Sequence, residues 1–339
     1  MTVANPHDIL QALLPGCRRI FWRQAFDDPP PLVTQSAMPS QKFHPARMLG
    51  SSTFAVLGTL AFVSGLQADS VTLTPVADTF ISEHFAGPNG FSAELVMGTQ
   101  GPAAGGARNR GLVKFDLTSI PTNAFIDSAV LQVTVNKYAS GGVGSFFHLH
   151  ALRVPWTESV STWFVRSAGQ NWAAPGGVAG TDYAAESSGN AFISGTGGTS
   201  FETTTGLVAS VTGWLQSPAS NQGWLIKTED ESVRLTAGRF GSRGNPNTSP
   251  QLTVEFTVPP SPPQIDSVSI EGTNFCVNFQ GVAGNVYVLE GREEVGSGVW
   301  ETIGGLLAET DGPQKLCDPL SGPRRFYRVG VLWLGWPGF

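Results

Sequence analysis

Charge is scarce in this chain. Only 14% of its 339 residues are Asp, Glu, Lys or Arg, against roughly 25% in an ordinary cytosolic domain. Cysteine is scarcer, with three residues in all, which excludes a disulfide-dense scaffold. The catalytic signatures are missing too. There is no Gly-x-Ser-x-Gly elbow, no His-Glu-x-x-His and no phosphate-binding glycine loop. The net charge of −6 argues against a nucleic-acid partner, because neutralising phosphates needs a basic surface. What the chain has in quantity is Gly (41) and Pro (24), about a fifth of its length. That composition suits short strands joined by tight turns and suits long helices poorly.

Long apolar runs are absent but for one. From Met38, Lys42 and Arg47 precede the uncharged stretch Met48 to Gly65, and Ala68 offers a small cleavage residue. This is the three-part pattern of a secretory signal peptide. A membrane anchor is the rival reading, since the run approaches bilayer-spanning length. Ser51, Ser52, Thr53, Gly58 and Ser64 interrupt it and favour cleavage. Residues 1–37 show no such logic, so translation is expected to begin at Met38. The first 68 residues hold five basic and three acidic residues, leaving 15 Lys and Arg against 23 Asp and Glu, a net of −8. Cys17 leaves with them. Cys276 and Cys317 remain, and a bridge between them is expected in an oxidising compartment.

The Pro-rich stretch from Val258 to Pro263 reads as a stiff linker between residues 69–257 and 264–330, with a tail at 331–339. Period-two alternation marks half-buried antiparallel strands at Val71–Thr74, Leu131–Asn136 and Leu252–Val258. Gly-rich loops at 101–106, 140–144 and 194–198 lie between them. One short helix is expected over 206–215, where Leu207, Val211, Trp214 and Leu215 recur at helical spacing. The smaller part repeats the strand signal with Phe275, Val277 and Phe279 on one face. The expected fold class is all-β: a jelly-roll-type sandwich followed by a small immunoglobulin-like sandwich.

Residues able to carry chemistry are few. His148 and His150 share a strand face, a spacing zinc sites use. With no Cys or acidic cluster beside them, an exposed polar face is the better reading, and no metal is expected. Glu229-Asp230-Glu231 reads as a solvated turn, with structural calcium as the alternative. No other cofactor is implied. Indole faces stack on sugar rings, but Trp also fills sandwich cores. Trp172, in a Gly/Pro-bounded loop, is the one expected to be exposed. Arg108, Arg110 and Lys114 form a basic cluster, with Val113, Phe115 and Leu117 on the other face of the strand. The cluster either meets a uronic-acid carboxylate or, for Lys114, pairs with Asp116 or a neighbouring strand. Replacing Arg110 and Lys114 together is expected to weaken glycan binding and leave stability nearly intact.

Taken in order, Asp78-Thr79-Phe80-Ile81, Leu95-Val96-Met97-Gly98, Gly111 to Pro121, Ile126 to Leu131, Trp156-Thr157-Glu158, Thr162-Trp163 and Asn221-Gln222-Gly223-Trp224 resemble the DNRLRE domain, also grouped as family 96 of carbohydrate-binding modules. The resemblance spans about residues 70–257. It implies a secreted jelly-roll sandwich, with alginate-like glycans as ligands of some members. The Gly-rich stretches at 101–106 and 189–200 depart from the pattern and would border a binding face. Segments at 284–290, 300–303 and 325–329 resemble small immunoglobulin- or fibronectin-like modules of bacterial exported proteins. The expectation is a secreted, non-catalytic polysaccharide-binding protein, with no nucleic-acid partner and no membrane contact after cleavage. Arg108, Arg110, Lys114 and Trp172 are its candidate binding residues. The alternative is a structural or adhesive surface protein, and a polysaccharide-degrading enzyme is the third class.

Overall fold

The computed structural model describes residues 68–294, 299–320 and 325–332. The expected export segment up to Gln67 and the tail from residue 333 lie outside the described residues. Residues 68–261 and 262–332 fall into two compact units. No helix among the described residues is long and apolar enough to cross a membrane.

The first unit is an antiparallel sandwich. Its strands are β1 (Asp69–Leu73), β2 (Pro75–Ser82), β3 (Glu94–Thr99), β4 (Arg108–Phe115), β5 (Phe125–Tyr138), β6 (Ser145–Ala151), β7 (Val165–Ser167), β8 (Gln170–Asn171), β9 (Gly189–Ile193), β10 (Gly197–Phe201), β11 (Trp224–Thr228), β12 (Gly238–Gly241) and β13 (Gln251–Thr257). One sheet runs β1-β13-β5-β12-β3, with β10 also on β5; the other runs β2-β4-β11-β6-β9. β3 belongs to both: Glu94 to Met97 pair with β12, while Gly98 and Thr99 pair with β4. Gly98 makes this corner. Its φ is 98°, and a Cβ there would stand 2.5 Å from the Thr236 carbonyl oxygen, so only glycine fits.

The alternation read from sequence points residues as expected. Leu131, Val133 and Val135 of β5 meet Val113 and Phe115 of β4 in the core, with Leu117 beside them. The single α-helix, α1 (Thr205–Gln216), closes one side of that core. The Thr204 side chain accepts the Leu207 N–H at its start, satisfying an otherwise orphaned donor. Leu207, Val211, Trp214 and Leu215 are its buried residues.

The second sheet buries apolar residues on its outer side as well. Leu112 and Leu225 project away from the main core, as does Ile81, and form a second cluster with Leu152, Trp163, Trp172 and Tyr183. These last four come from the long excursion between β6 and β9, which lies over the sheet as a roof. Arg110 fastens it. This side chain is only 6% exposed. Its Nε and one terminal nitrogen donate to the two carboxylate oxygens of Glu231 at 2.8 and 2.6 Å, and the other terminal nitrogen donates to the Gly176 carbonyl at 2.7 Å. Its guanidinium carbon lies 5.2 Å from the Trp163 ring centre and 5.9 Å from that of Tyr183. Gly176 has φ 87°, and a Cβ there would stand 2.6 Å from the Trp163 ring; glycine lets the roof descend far enough for its carbonyl to reach the arginine.

The second unit holds β14 (Ile265–Glu271), β15 (Asn274–Gly281), β16 (Val286–Arg292), β17 (Glu301–Leu307), β18 (Gly312–Pro319) and β19 (Phe326–Leu332). They form two antiparallel sheets, β14-β15-β18 and β17-β16-β19. Val277, Phe279 and Leu316 from one meet Tyr287 and Leu289 from the other. Cys276 and Cys317 oppose each other on β15 and β18 and are bridged. For the enclosed loop the chain-entropy model gives about 4 kcal/mol of stabilisation, which matters for so small a core.

The Arg110 geometry reverses one expectation: its replacement cannot leave stability intact. Removing one partner of a buried pair costs about 3–5 kcal/mol, with Lys227, 3.8 Å from Glu231, left as that carboxylate's remaining cation. Arg110→Ala is expected to lower the urea-unfolding free energy of the first unit by that amount and to red-shift tryptophan emission as the roof loosens. Lys114→Ala should stay within about 0.5 kcal/mol of wild type. Equal, small losses in both would contradict the assignment.

Candidate functional site

The four candidate binding residues do not come together as one exposed surface. Arg110 lies under the roof. Trp172, expected to be exposed, is 4% exposed, and its indole N–H donates to the Thr162 carbonyl at 2.9 Å. It is a core residue of the roof, held there because its large apolar surface covers the outer face of the second sheet. Arg108 is half-buried, with Nε donating to Glu83 at 2.9 Å and its guanidinium 5.3 Å from the Trp163 ring. Lys114 stands apart on the rim of an apolar groove of about 470 Å³ floored by Phe115, Trp214 and Leu215.

Nor do the other candidates form a reactive centre. His148 and His150 share a face, with rings 6.2 Å apart, and burial is the main cause holding both imidazoles below their ordinary pKa. His150 Nδ1 lies 3.0 Å from the Ala184 carbonyl. Glu231 does not belong to a solvated turn: its neighbours Glu229 and Asp230 are exposed, but Arg110 draws Glu231 inward. Among the described residues no group of three or more His, Cys, Asp or Glu is placed to hold a metal.

The other motif residues are fasteners. The Asn221 amide donates to the Phe115 carbonyl at 2.9 Å, and Trp156 donates to the Gln222 carbonyl at 2.8 Å. Glu158 accepts the Asp78 backbone N–H at 2.9 Å and takes a two-pronged contact from Arg243, both prongs at 2.6 Å. Asp78 in turn accepts the Arg243 N–H at 2.6 Å. Two carboxylates therefore meet here, but Asp78 is only 2% exposed, so a substrate has no access to it.

Sequence reasoning missed the outer face of the first sheet. Gln132, Lys137, Arg239 and Gln251 are exposed on it. At one end Gln251, Gln132 and Ser200 are register partners across β13, β5 and β10. With Thr134, Asn247 and Ser249 they give a groove of about 410 Å³ a lining rich in uncharged hydrogen-bonding side chains. At the other end Val96, Arg239 and Lys137 oppose one another across β3, β12 and β5. They line a groove of about 260 Å³, walled by Gln100, Gly101, Ala103 and Ala104 of the Gly-rich loop. Arg239 pairs with Glu94 at 3.1 Å, which leaves the Lys137 ammonium as the uncompensated charge of the row. Gln132 and Lys137 are five positions apart on β5, about 16 Å at strand rise. The alternation had placed Gln132 and Thr134 outward, but the Lys137–Arg239 contact joins residues far apart in sequence, through a bulge after Arg239.

Asp78 yields a pH signature. Burial raises its carboxyl from the ordinary 3.8 to about 6, against the Arg243 backbone N–H, which lowers it, and with the Glu158 charge adding to the rise. A carboxyl with a raised folded-state pKa contributes stability that is full below about pH 4 and is lost as pH rises through 6. Asp78→Asn stays neutral and still accepts the Arg243 N–H. Its stability relative to wild type is expected to be more favourable at pH 7.5 than at pH 4 in urea unfolding. The same difference at both pH values would contradict this account.

Residues 69–176 match the family model of carbohydrate-binding module family 96, just under a third of the chain. No curated protein matches the chain. Among solved structures, a cryo-EM structure of T=3 Penaeus vannamei nodavirus is similar at 15% identity, covering 93% of this chain and 95% of that one, with a TM-score of 0.21, too low to carry an argument. The segment from β1 into the roof is thus similar to a carbohydrate-binding module.

Proposed function

We propose that the first unit binds an anionic polysaccharide, alginate-like in carrying uronate carboxylates, along the outer face of the β1-β13-β5-β12-β3 sheet. The observation that carries this reading is the row Val96–Arg239–Lys137. Like charges directly opposite on adjacent strands destabilise a sheet, and a carboxylate seated between them relieves the repulsion through charge-assisted hydrogen bonds. The neighbouring groove supports it, since Gln132, Thr134, Ser200, Asn247 and Gln251 both donate and accept, as sugar hydroxyls require. The protein is read as secreted and non-catalytic: the Cys276–Cys317 bridge fits an oxidising compartment. The second unit is read as an immunoglobulin-like spacer from its two small sheets and their bridge.

One observation favours a structural or adhesive role instead. β14, an edge strand, exposes Ile265, Val268 and Ile270 at 47, 57 and 69%, and bare apolar edges invite pairing with another chain.

Affinity electrophoresis of the full chain in gels containing alginate, pectin, heparin or neutral glucans separates these readings. Retardation is expected in alginate and pectin. Lys137→Gln with Arg239→Gln should weaken it at least about tenfold, the equivalent of 1.4 kcal/mol, without altering the circular dichroism spectrum. Phe146→Ala is the control for the far edge of the roofed sheet. There Phe146 and Phe192 expose a pair of rings 5.2 Å apart, and the substitution should change nothing. Passage unretarded through every gel would favour the structural role. Release of unsaturated sugars or reducing ends would overturn the non-catalytic reading.

A further inference from the structure

We infer that the second unit carries its own site for the carboxylate or sulfate groups of a glycan chain, on the outer face of the β17-β16-β19 sheet around Trp300. Alternation along β16 turns Leu289 and Gly291 inward and leaves Glu290 and Arg292 on the outer face. Arg328 on β19 opposes Glu290, and Phe326 opposes Arg292. Trp300 immediately precedes Glu301, the partner of Gly291 on β17, which brings the indole level with Arg292. The guanidinium carbons of Arg292 and Arg328 then lie 4.3 and 4.5 Å from the Trp300 ring centre.

Stacking on an indole holds a guanidinium by its flat face and leaves the in-plane N–H donors at its edge for a planar or tetrahedral anion. Two such groups share one ring here, so each fixes the other's platform. Arg328 is offset by Glu290, to which its Nε donates at 2.6 Å, yet its side chain remains 51% exposed. Arg292 has a buried Nε with no hydrogen-bond partner, so an anion on this face meets Arg292 through its terminal nitrogens. The grouping of Arg292, Arg328 and Glu290 on one sheet face resembles that of Lys137, Arg239 and Glu94, although it is built from different strands. Net acidity of the chain speaks against a nucleic-acid ligand. The choice of a glycan rests on the polysaccharide reading of the first unit. Two sites on one chain would raise retention on a polymer through effective concentration.

Isothermal titration of the full chain with an alginate tetrasaccharide and, separately, a heparin tetrasaccharide tests this. Wild type should bind two oligosaccharides per chain. Lys137→Gln with Arg239→Gln should leave one, and Arg292→Gln with Arg328→Gln should also leave one. All four together should leave none. If wild type binds one and the Lys137/Arg239 variant none, the first-unit reading stands and this inference falls. If wild type binds neither probe, both fall. A simple stacking ladder predicts that the Arg292/Arg328 variant loses melting temperature and keeps both sites, which would also overturn the inference. Should that variant not fold, Arg292→Lys with Arg328→Lys keeps the charge but not the fork. It should weaken the second site severalfold at unchanged melting temperature, and unchanged affinity would count against the site.

Discussion

The guanidinium of Arg110 is buried, and a buried cation costs several kcal/mol unless its charge and its donors are met. Glu231 supplies the charge through both oxygens, and Gly176 supplies a carbonyl. Those partners come from opposite sides: Glu231 follows β11, while Gly176 belongs to the roof. One side chain therefore ties a strand, a turn and a long excursion together. Burial below the roof also holds the Lys227 ammonium under its ordinary pKa, although Glu231 opposes that shift. With Leu112, Leu225 and Ile81 covered by Trp163, Trp172 and Tyr183, the second sheet buries apolar residues on both faces. Its motif residues are occupied in holding it shut.

The proposed recognition face of the first unit follows from that closure. Its other sheet keeps polar side chains on the outer face, with Gln132, Gln251, Lys137 and Arg239 all exposed. A rigid sheet suits a long, repetitive ligand, because side chains two apart along each strand face the same way. Charge is sparse on this face, so the Lys137–Arg239 contact gives it a polarity that a neutral glucan would not need. The Gly-rich loop beside it, an apparent departure when set against the family pattern, becomes the wall of the basic groove.

Much of the fold was legible because alternation is a local signal. Leu131-Gln132-Val133-Thr134 states which side chains enter the core, and the spacing of Leu207, Val211, Trp214 and Leu215 states a helix. The roof was not legible. Trp172 sits among Gly and Pro as an exposed loop residue would, and only its place in a buried cluster with Leu112 and Leu225 makes it core. Arg110 carries the same lesson. A charged residue alternating with Val113 and Phe115 belongs on the outside of the strand, and it is, but a second layer covers that outside. Lys137 and Arg239 went unnoticed for the converse reason, since their meeting is set by sheet order and a bulge.

The central claim is that a glycan lies on the open sheet and not on the roofed one. Amide chemical-shift mapping of the isotopically labelled full chain, titrated with an alginate oligosaccharide, measures this directly. Shifts are predicted at residues 132–137 of β5, at 238–241 and at 247–251, with the roof between β6 and β9 unmoved. Shifts concentrated at residues 108–114 or across the roof would contradict the account.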